Sequence, residues 1–378
     1  MKSLYDHIQA LNQEEWDYYH KRNGEQKLNI IGNWDDENEH SRFIKEYLKI
    51  SGKIEIEQYF EFQKIPNYAY LKREAHTNSV FFLGCILYKN LKLKDKIRFY
   101  REDGNDEFYF IWFLTSLMHD QAYYIENCST NNIDMSEKIT SDVNSFIDYF
   151  EIKYNLLVAK TKIREPATKI LFSCISSYYQ FRKNEQFGYK NESKIDHGIA
   201  AGLLLYDALI KIRKDKAKSV EPDGLYWGKD LEKFYHCISV MIATHNIWRA
   251  NEDKEKEKEK YCDNGLEKLI INGADGHIKK LSFASEPLAT LFAIVDTLEP
   301  LKIYKDCFSR EDIMKNICLC ATTNKIVFYI NKESKINIDP LYSAAKSLES
   351  WVAVKVDKKN NGNNELTIEL DGEDNVTK

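Results

Sequence analysis

Five apolar segments of this sequence end in, or enclose, a histidine or an aspartate: REAHTNSVFFLG, FLTSLMHDQAYY, KIDHGIAAGLLL, SVMIATHNIW and TLFAIVDTLEP. In chain order they carry His76, the adjacent pair His119 and Asp120, then His197, His245 and Asp296. Imidazole together with carboxylate is a donor set for Zn, Mn, Fe, Co or Ni, whereas an all-oxygen set would select Mg or Ca. The positions are scattered from 76 to 296, so any site they form is a product of tertiary folding and not a local binding loop.

Each position has a functional reading and a plainer one. His119 and Asp120 close the apolar run FYFIWFLTSLM, where two ionisable groups are costly unless paired or bound to a metal; the plainer reading is a helix that exits into solvent there. His76 follows Lys72 and Arg73 and opens VFFLGCIL, which also suits an exposed first-turn histidine. His197 opens HGIAAGLLLYDAL, whose small residues favour a crowded helix contact, and His245 ends SVMIATH much as His119 ends its own segment. Asp296 is flanked by apolar residues on both sides and needs a partner. His236 and His245 are separated by about 900° of rotation on one continuous helix, so only one of them can face a site. Their apolar neighbours do not decide which. His7, His20 and His40 lie in the polar N-terminal part and His277 in a Gly-bearing loop, and all four read as surface residues.

The elements that must carry these residues are mostly helical. Residues 1–69 read as an N-terminal helical segment, with LYDHIQALNQEEWDYYHKR and HSRFIKEYLKI showing apolar residues at helical spacing. From 70 to 305, EFYFIWFLTSLM, HGIAAGLLLYDALIKI, LEKFYHCISVMIATH and PLATLFAIVDTL are too long for strands and read as buried helices, with further helices expected between 125 and 190. NEDKEKEKEKYCDN, residues 251–264, alternates charge sign and reads as a solvated excursion. Residues 306–378 read as a small α+β appendage: ICLCATTNKIVFYIN as two strands around a turn, Asp339 and Pro340 as the N-cap and first turn of a helix through Trp351, then VAVKVD and ELTIEL around an Asn/Gly turn. The fold class expected is mainly α, a helical bundle with that appendage.

Composition narrows the partners. With 378 residues, 43% of them hydrophobic, the chain can bury a large core. A net charge of −5 argues against coating nucleic acid or anionic membrane by bulk electrostatics, so a phosphate-bearing substrate has to be recruited by metal ions and a few local cations. No stretch approaches the roughly 18–20 apolar residues of a membrane helix, and charges occupy the N-terminus where a signal peptide would be apolar, which predicts a cytoplasmic protein. The eight cysteines form no CxxC pair and read as reduced thiols; the close pair is Cys318 and Cys320.

The order His, His-Asp, two further histidines, then Asp, each on its own helix, resembles the HD-domain superfamily of metal-dependent phosphohydrolases over residues 70–305. That resemblance implies an HD-type helical bundle and an enzyme that hydrolyses a small-molecule phosphate ester, a nucleotide by family default. It implies two divalent transition-metal ions (Mn, Fe, Zn, Co or Ni): His76, His119, Asp120 and Asp296 around one, with Asp120 bridging to a second completed by His197 and His245. It favours His245 over His236. A hydroxide bridging the metals would attack phosphorus while the ions neutralise phosphoryl charge. Lys72, Arg73, Lys194 and Arg249, near these ligands in sequence, are candidates to hold the remaining phosphate charge. The chain departs from the common pattern in that HDQAYY lacks a Gly-Lys after the dyad and no GYP follows His197. The same ligand set also resembles di-iron oxygenases of this superfamily such as myo-inositol oxygenase, and a third reading is a non-catalytic nucleotide-binding module that signals through its appendage.

Overall fold

The computed structural model describes residues 1–10, 67–98, 108–120, 197–216, 232–245, 271–272, 277–278, 280–359 and 364–370. In chain order these form β1 (Lys2–Ser3), α1 (Leu4–Gln9), α2 (Asn67–Asn90), α3 (Phe108–Met118), α4 (His197–Lys216), α5 (Glu232–Thr244), β2 (Ile271–Asn272) and β3 (His277–Ile278). There follow α6 (Pro287–Leu298), α7 (Pro300–Tyr304), α8 (Arg310–Asn316), β4 (Ile317–Thr322), β5 (Lys325–Ile330), α9 (Asp339–Leu348), β6 (Val354–Lys359) and β7 (Glu365–Leu370). The described residues are therefore mainly helical with a small antiparallel sheet, as their hydrophobic patterning predicts. The helices expected between 125 and 190, the charged run 251–264, His20 and His40 lie outside the described residues.

Helix α3 is the axis of the helical part. All of its side chains are buried, so it has no solvent face. Helices α2 and α5 pack on it, α4 packs on α5, and α6 packs on α2. Close approach is built in with glycine. A Cβ added at Gly84 of α2 would lie 2.0 Å from the indole of Trp112, whose Nε1 donates to the Phe81 carbonyl at 3.0 Å. One added at Gly202 of α4 would lie 2.5 Å from the Ser239 carbonyl oxygen on α5. The small residues of HGIAAGLLLYDAL thus do what their size suggests, letting two backbones touch.

The sheet has the order β1-β4-β5-β7-β6, all pairs antiparallel. The register Thr322↔Lys325 leaves Thr323 and Asn324 as the hairpin turn. Ile326, Phe328 and Ile330 of β5 and Leu366, Ile368 and Leu370 of β7 are buried, and Leu341, Ala345 and Leu348 of α9 are buried with them in the same core. Two expectations change here. The N-terminal segment is not purely helical, because Lys2 and Ser3 form an edge strand opposite Leu319 and Cys318; two residues are too short to leave a periodic signal. Asp339 is the first helical residue and not the N-cap: its backbone N–H donates to Asn337 Oδ1 at 3.0 Å, and the helix ends at Leu348, short of Trp351.

The sheet-bearing part is fastened to the helical part at the start of α6. Leu281 N–H donates to the Trp351 carbonyl at 2.9 Å, and Ala353 N–H donates to the Leu281 carbonyl at 2.8 Å. Helix α9 packs directly on α6, so the element that carries Asp296 is shared between the two parts. Among the described residues no helix is long and apolar enough to cross a membrane.

Candidate metal centre

The construction of the site starts at two helix ends. The last carbonyls of an α-helix have no intrahelical partner, and α3 and α5 each place a histidine one residue beyond their final turn. His119 Nδ1 lies 2.7 Å from the Ser116 carbonyl, and His245 Nδ1 lies 2.6 Å from the Ile242 carbonyl. A carbonyl only accepts, so Nδ1 carries the proton in both rings and, in the neutral imidazole, the lone pair sits on Nε2. SLMH and IATH are the same device used twice. The two rings meet edge to face at 5.3 Å, and Phe292 of α6 holds both edge-on, at 5.2 Å from His119 and 5.8 Å from His245.

The remaining candidates come from other helices. His76 lies in the middle of α2 and is buried, so the exposed first-turn alternative does not apply. Its Nε2 is 3.0 Å from Asp296 Oδ1 and 3.9 Å from Asp120 Oδ2. His119 Nε2 is 3.3 Å from Asp120 Oδ1 and 3.5 Å from Asp296 Oδ1. His197, the first residue of α4, has its Nε2 3.5 Å from Asp120 Oδ1, and its ring lies 5.1 Å from that of His245. Gly198 makes this contact possible: a Cβ there would lie 2.8 Å from the His245 ring. All six metal-ligand candidates therefore converge, from five helices or their ends. Five of them form two overlapping groups, His76-His119-Asp120 and Asp120-His197-His245, each with its donor atoms within 4.8 Å of one another, and Asp296 joins the first through His76 and His119.

The electrostatics follow from burial opposed by charge. Burial would raise the Asp120 carboxyl, but His119, His197 and His76 around it outweigh that and hold it well below the usual carboxylate range. Burial, reinforced by His197 and His119, pushes His245 well below the usual imidazole range. His76 behaves differently: burial and Lys302 act to lower it, yet its hydrogen bonds to Asp296 and Glu299 prevail and raise it. Each of its two nitrogens thus faces a carboxyl group.

A metal ion fits this donor set. Ligand bonds of about 2.1 Å in tetrahedral geometry put neighbouring donors about 3.4 Å apart; the close pairs that His76, His119 and His197 make with Asp120 and Asp296 lie at 3.0 to 3.9 Å, and the donors of each group lie within 4.8 Å of one another. His119 Nε2 is fully buried and, among the described residues, has no hydrogen-bond partner, an arrangement that is costly unless something else takes its lone pair. Buried clusters of His and Asp that could hold a metal ion are thus a property of this fold.

The structure also sorts the other candidates. His236 faces away from the cluster: it is half-buried, stacks on Tyr206 and shares a 2.9 Å hydrogen bond with its hydroxyl, while burial lowers its pKa. His7 is not a surface group but is half-buried, with Nε2 2.8 Å from the Leu319 carbonyl, and His277 lies in the short strand β3. Lys72 and Arg73 lie on α2 ahead of His76 with their side chains outside the described set, and Lys194 and Arg249 lie outside the described residues. Three residues of the site escape a reading of the sequence. Lys302 of α7 places Nζ 3.0 Å from Asp296 Oδ1, Glu299 is fully buried behind His76, and Ser79 donates to Glu299 at 2.5 Å. The signals available were Glu299 directly before Pro300 at a helix boundary and Ser79 one turn beyond His76.

Compared with protein-family models, with curated proteins and with solved structures, the chain matches none.

Proposed function

We propose that the protein is a metal-dependent phosphohydrolase of the HD type, acting on a small phosphate ester of the nucleotide class with two divalent transition-metal ions. The observation that carries this reading is Asp120. It is the one residue common to both ligand groups, and a carboxylate held ionised between two sets of imidazoles is what a bridging ligand requires. His76, His119, Asp120 and Asp296 would hold one ion, and Asp120, His197 and His245 the other. Bound there, the ions would supply water activated near neutral pH and neutralise charge on a phosphoryl oxygen.

The chain's own residues prepare the site for that chemistry. The Ser116 and Ile242 carbonyls fix the directions of two rings before any ion arrives. Lys302, with its side chain 40% exposed and its Nζ 3.0 Å from Asp296, offers a cation for a substrate phosphate. Met241, Phe292 and Trp351 line, with His245 and Asp296, a cavity of about 10 Å³, room for a single water.

The test is elemental analysis of the purified protein followed by a panel of nucleotides, phosphomonoesters and phosphodiesters. Close to two ions per chain and metal-dependent phosphate or nucleotide release are expected. No metal after reconstitution with Mn, Fe, Co, Ni and Zn would overturn the reading.

A further inference from the structure

Behind His76, on the side away from the cluster, sits Glu299. It is the C-cap of α6 and the N-cap of α7, and is fully buried. Its two oxygens take four donors: Oε1 accepts from Ser79 Oγ at 2.5 Å and from Leu301 N–H at 2.7 Å, while Oε2 accepts from His76 Nδ1 at 3.0 Å and from Lys302 N–H at 2.8 Å. Two of these bonds cap α7. Capping alone, however, does not call for this residue, since the side chains preferred at an N-cap are the short ones of Ser, Thr, Asp and Asn. The extra methylene of glutamate gives the reach to α2, where His76 and Ser79 lie one turn apart on the same face.

We propose that Glu299 is the positioning residue of the centre, orienting the His76 ring through Nδ1 so that Nε2 is presented to the ion, and holding the turn from which Lys302 reaches Asp296. This rests on the metal-centre reading above. Among the three histidines whose Nδ1 partners are described, His119 and His245 are oriented by backbone carbonyls at helix ends. His76 lies in mid-helix, where the backbone carbonyls are engaged within the helix, and it has to borrow a side chain instead. A carboxyl group on the far nitrogen fixes the tautomer and raises the basicity of the ligating one. Lys302 follows from the same contact, because its backbone N–H is held by the oxygen that holds His76.

Two conservative variants separate positioning from capping. Glu299→Asp keeps a preferred N-cap for α7 but withdraws the oxygens from His76 by about one carbon–carbon bond. Glu299→Gln keeps the reach and one acceptor oxygen. In the full chain, Co(II) affinity is measured by competition with a chelator, and the ring nitrogens of 15N-labelled histidines are observed in the chelated protein. Glu299→Asp is expected to weaken Co(II) binding about 10- to 100-fold with the melting temperature of the chelated protein near that of the parent, and to move the His76 ring resonances while those of His119 and His245 stay. Glu299→Gln is expected to lie closer to the parent. Unchanged affinity with unmoved His76 resonances in Glu299→Asp, or a loss that follows the melting temperature across both variants, overturns the proposal. Should the parent bind no Co(II), the metal-centre reading falls, and the His76 resonances of the chelated proteins alone decide the role of Glu299.

Discussion

Nε2 of His76 lies 3.0 Å from Oδ1 of Asp296, a contact between residues 220 positions apart that joins α2 to α6. With Nδ1 on Glu299, both ring nitrogens donate to carboxyl groups, and the imidazole is protonated more readily than the ordinary 6.5. An ion taking Nε2 has to displace that proton. Metal affinity is therefore expected to rise with pH through the raised His76 value, above 6.5, and to fall as pH drops below it. His245, held neutral by burial, adds nothing to this slope above 6.5. Chelator competition at several pH values measures it; a flat profile would show that His76 is not displaced.

Replacing the shared carboxylate has a distinctive consequence. Asp120→Asn keeps size but removes the charge on which both ligand groups draw. Metal content is expected to fall to one ion per chain or less, and hydrolysis by more than about 100-fold, beyond the usual cost of losing an outer-shell partner. Two ions retained in the variant would show that Asp120 does not bridge.

The two histidines of α5 should behave oppositely. His245→Ala removes a donor from the cluster and should lower both metal content and turnover. His236→Ala breaks a hydrogen bond and a stacked contact with Tyr206, costing about 1 kcal/mol, and should leave metal content unchanged. Elemental analysis of both variants beside thermal melts decides this, and a reversed pattern would place the opposite face of α5 at the site.

Glycines with different neighbours give a structural control. Gly84→Ala drives a methyl into Trp112, far from the donors, and should destabilise by about 1–3 kcal/mol or more while the folded protein still binds metal. Gly198→Ala meets the His245 ring at 2.8 Å and the Ile242 carbonyl oxygen at 2.9 Å, the very group that orients that ring. Its metal affinity should fall out of proportion to its loss of stability. Equal behaviour of the two variants would argue that α4 and α5 slide apart without disturbing the centre.

Hydrolysis and oxygenation are separated by dioxygen. A phosphoesterase should release product anaerobically with Mn(II) and lose it in Asp120→Asn. Oxygen uptake with iron and a polyol, with phosphoesters inert, would transfer the site to oxygenase chemistry.

The main helices are legible in the sequence because runs such as FYFIWFLTSLM are too long and too uniformly apolar for strands, and the hairpin of β4 and β5 because alternation brackets a two-residue turn. The donors of the site are legible for a related reason: an ionisable side chain at the edge of an apolar run must find a partner, and five such segments supply matching donors. Periodicity goes no further. It sets His236 and His245 apart without saying which turns inward, and that is settled by packing at the end of α5, where His245 meets His119, His197 and Phe292 while His236 meets Tyr206. Glu299 before Pro300 and Ser79 one turn beyond His76 leave only a faint mark in sequence and Lys302 leaves none, since a Glu before Pro reads as a cap and a Lys on a short helix as a surface group. Lys2 and Ser3 are too few to announce a strand. What the sequence by itself determined is which side chains could not be left alone in an apolar interior; which of them meet was decided by the packing of α2, α3, α4, α5 and α6, because hydrogen bonds and metal bonds act over a few ångströms while the residues that make them are up to 220 positions apart.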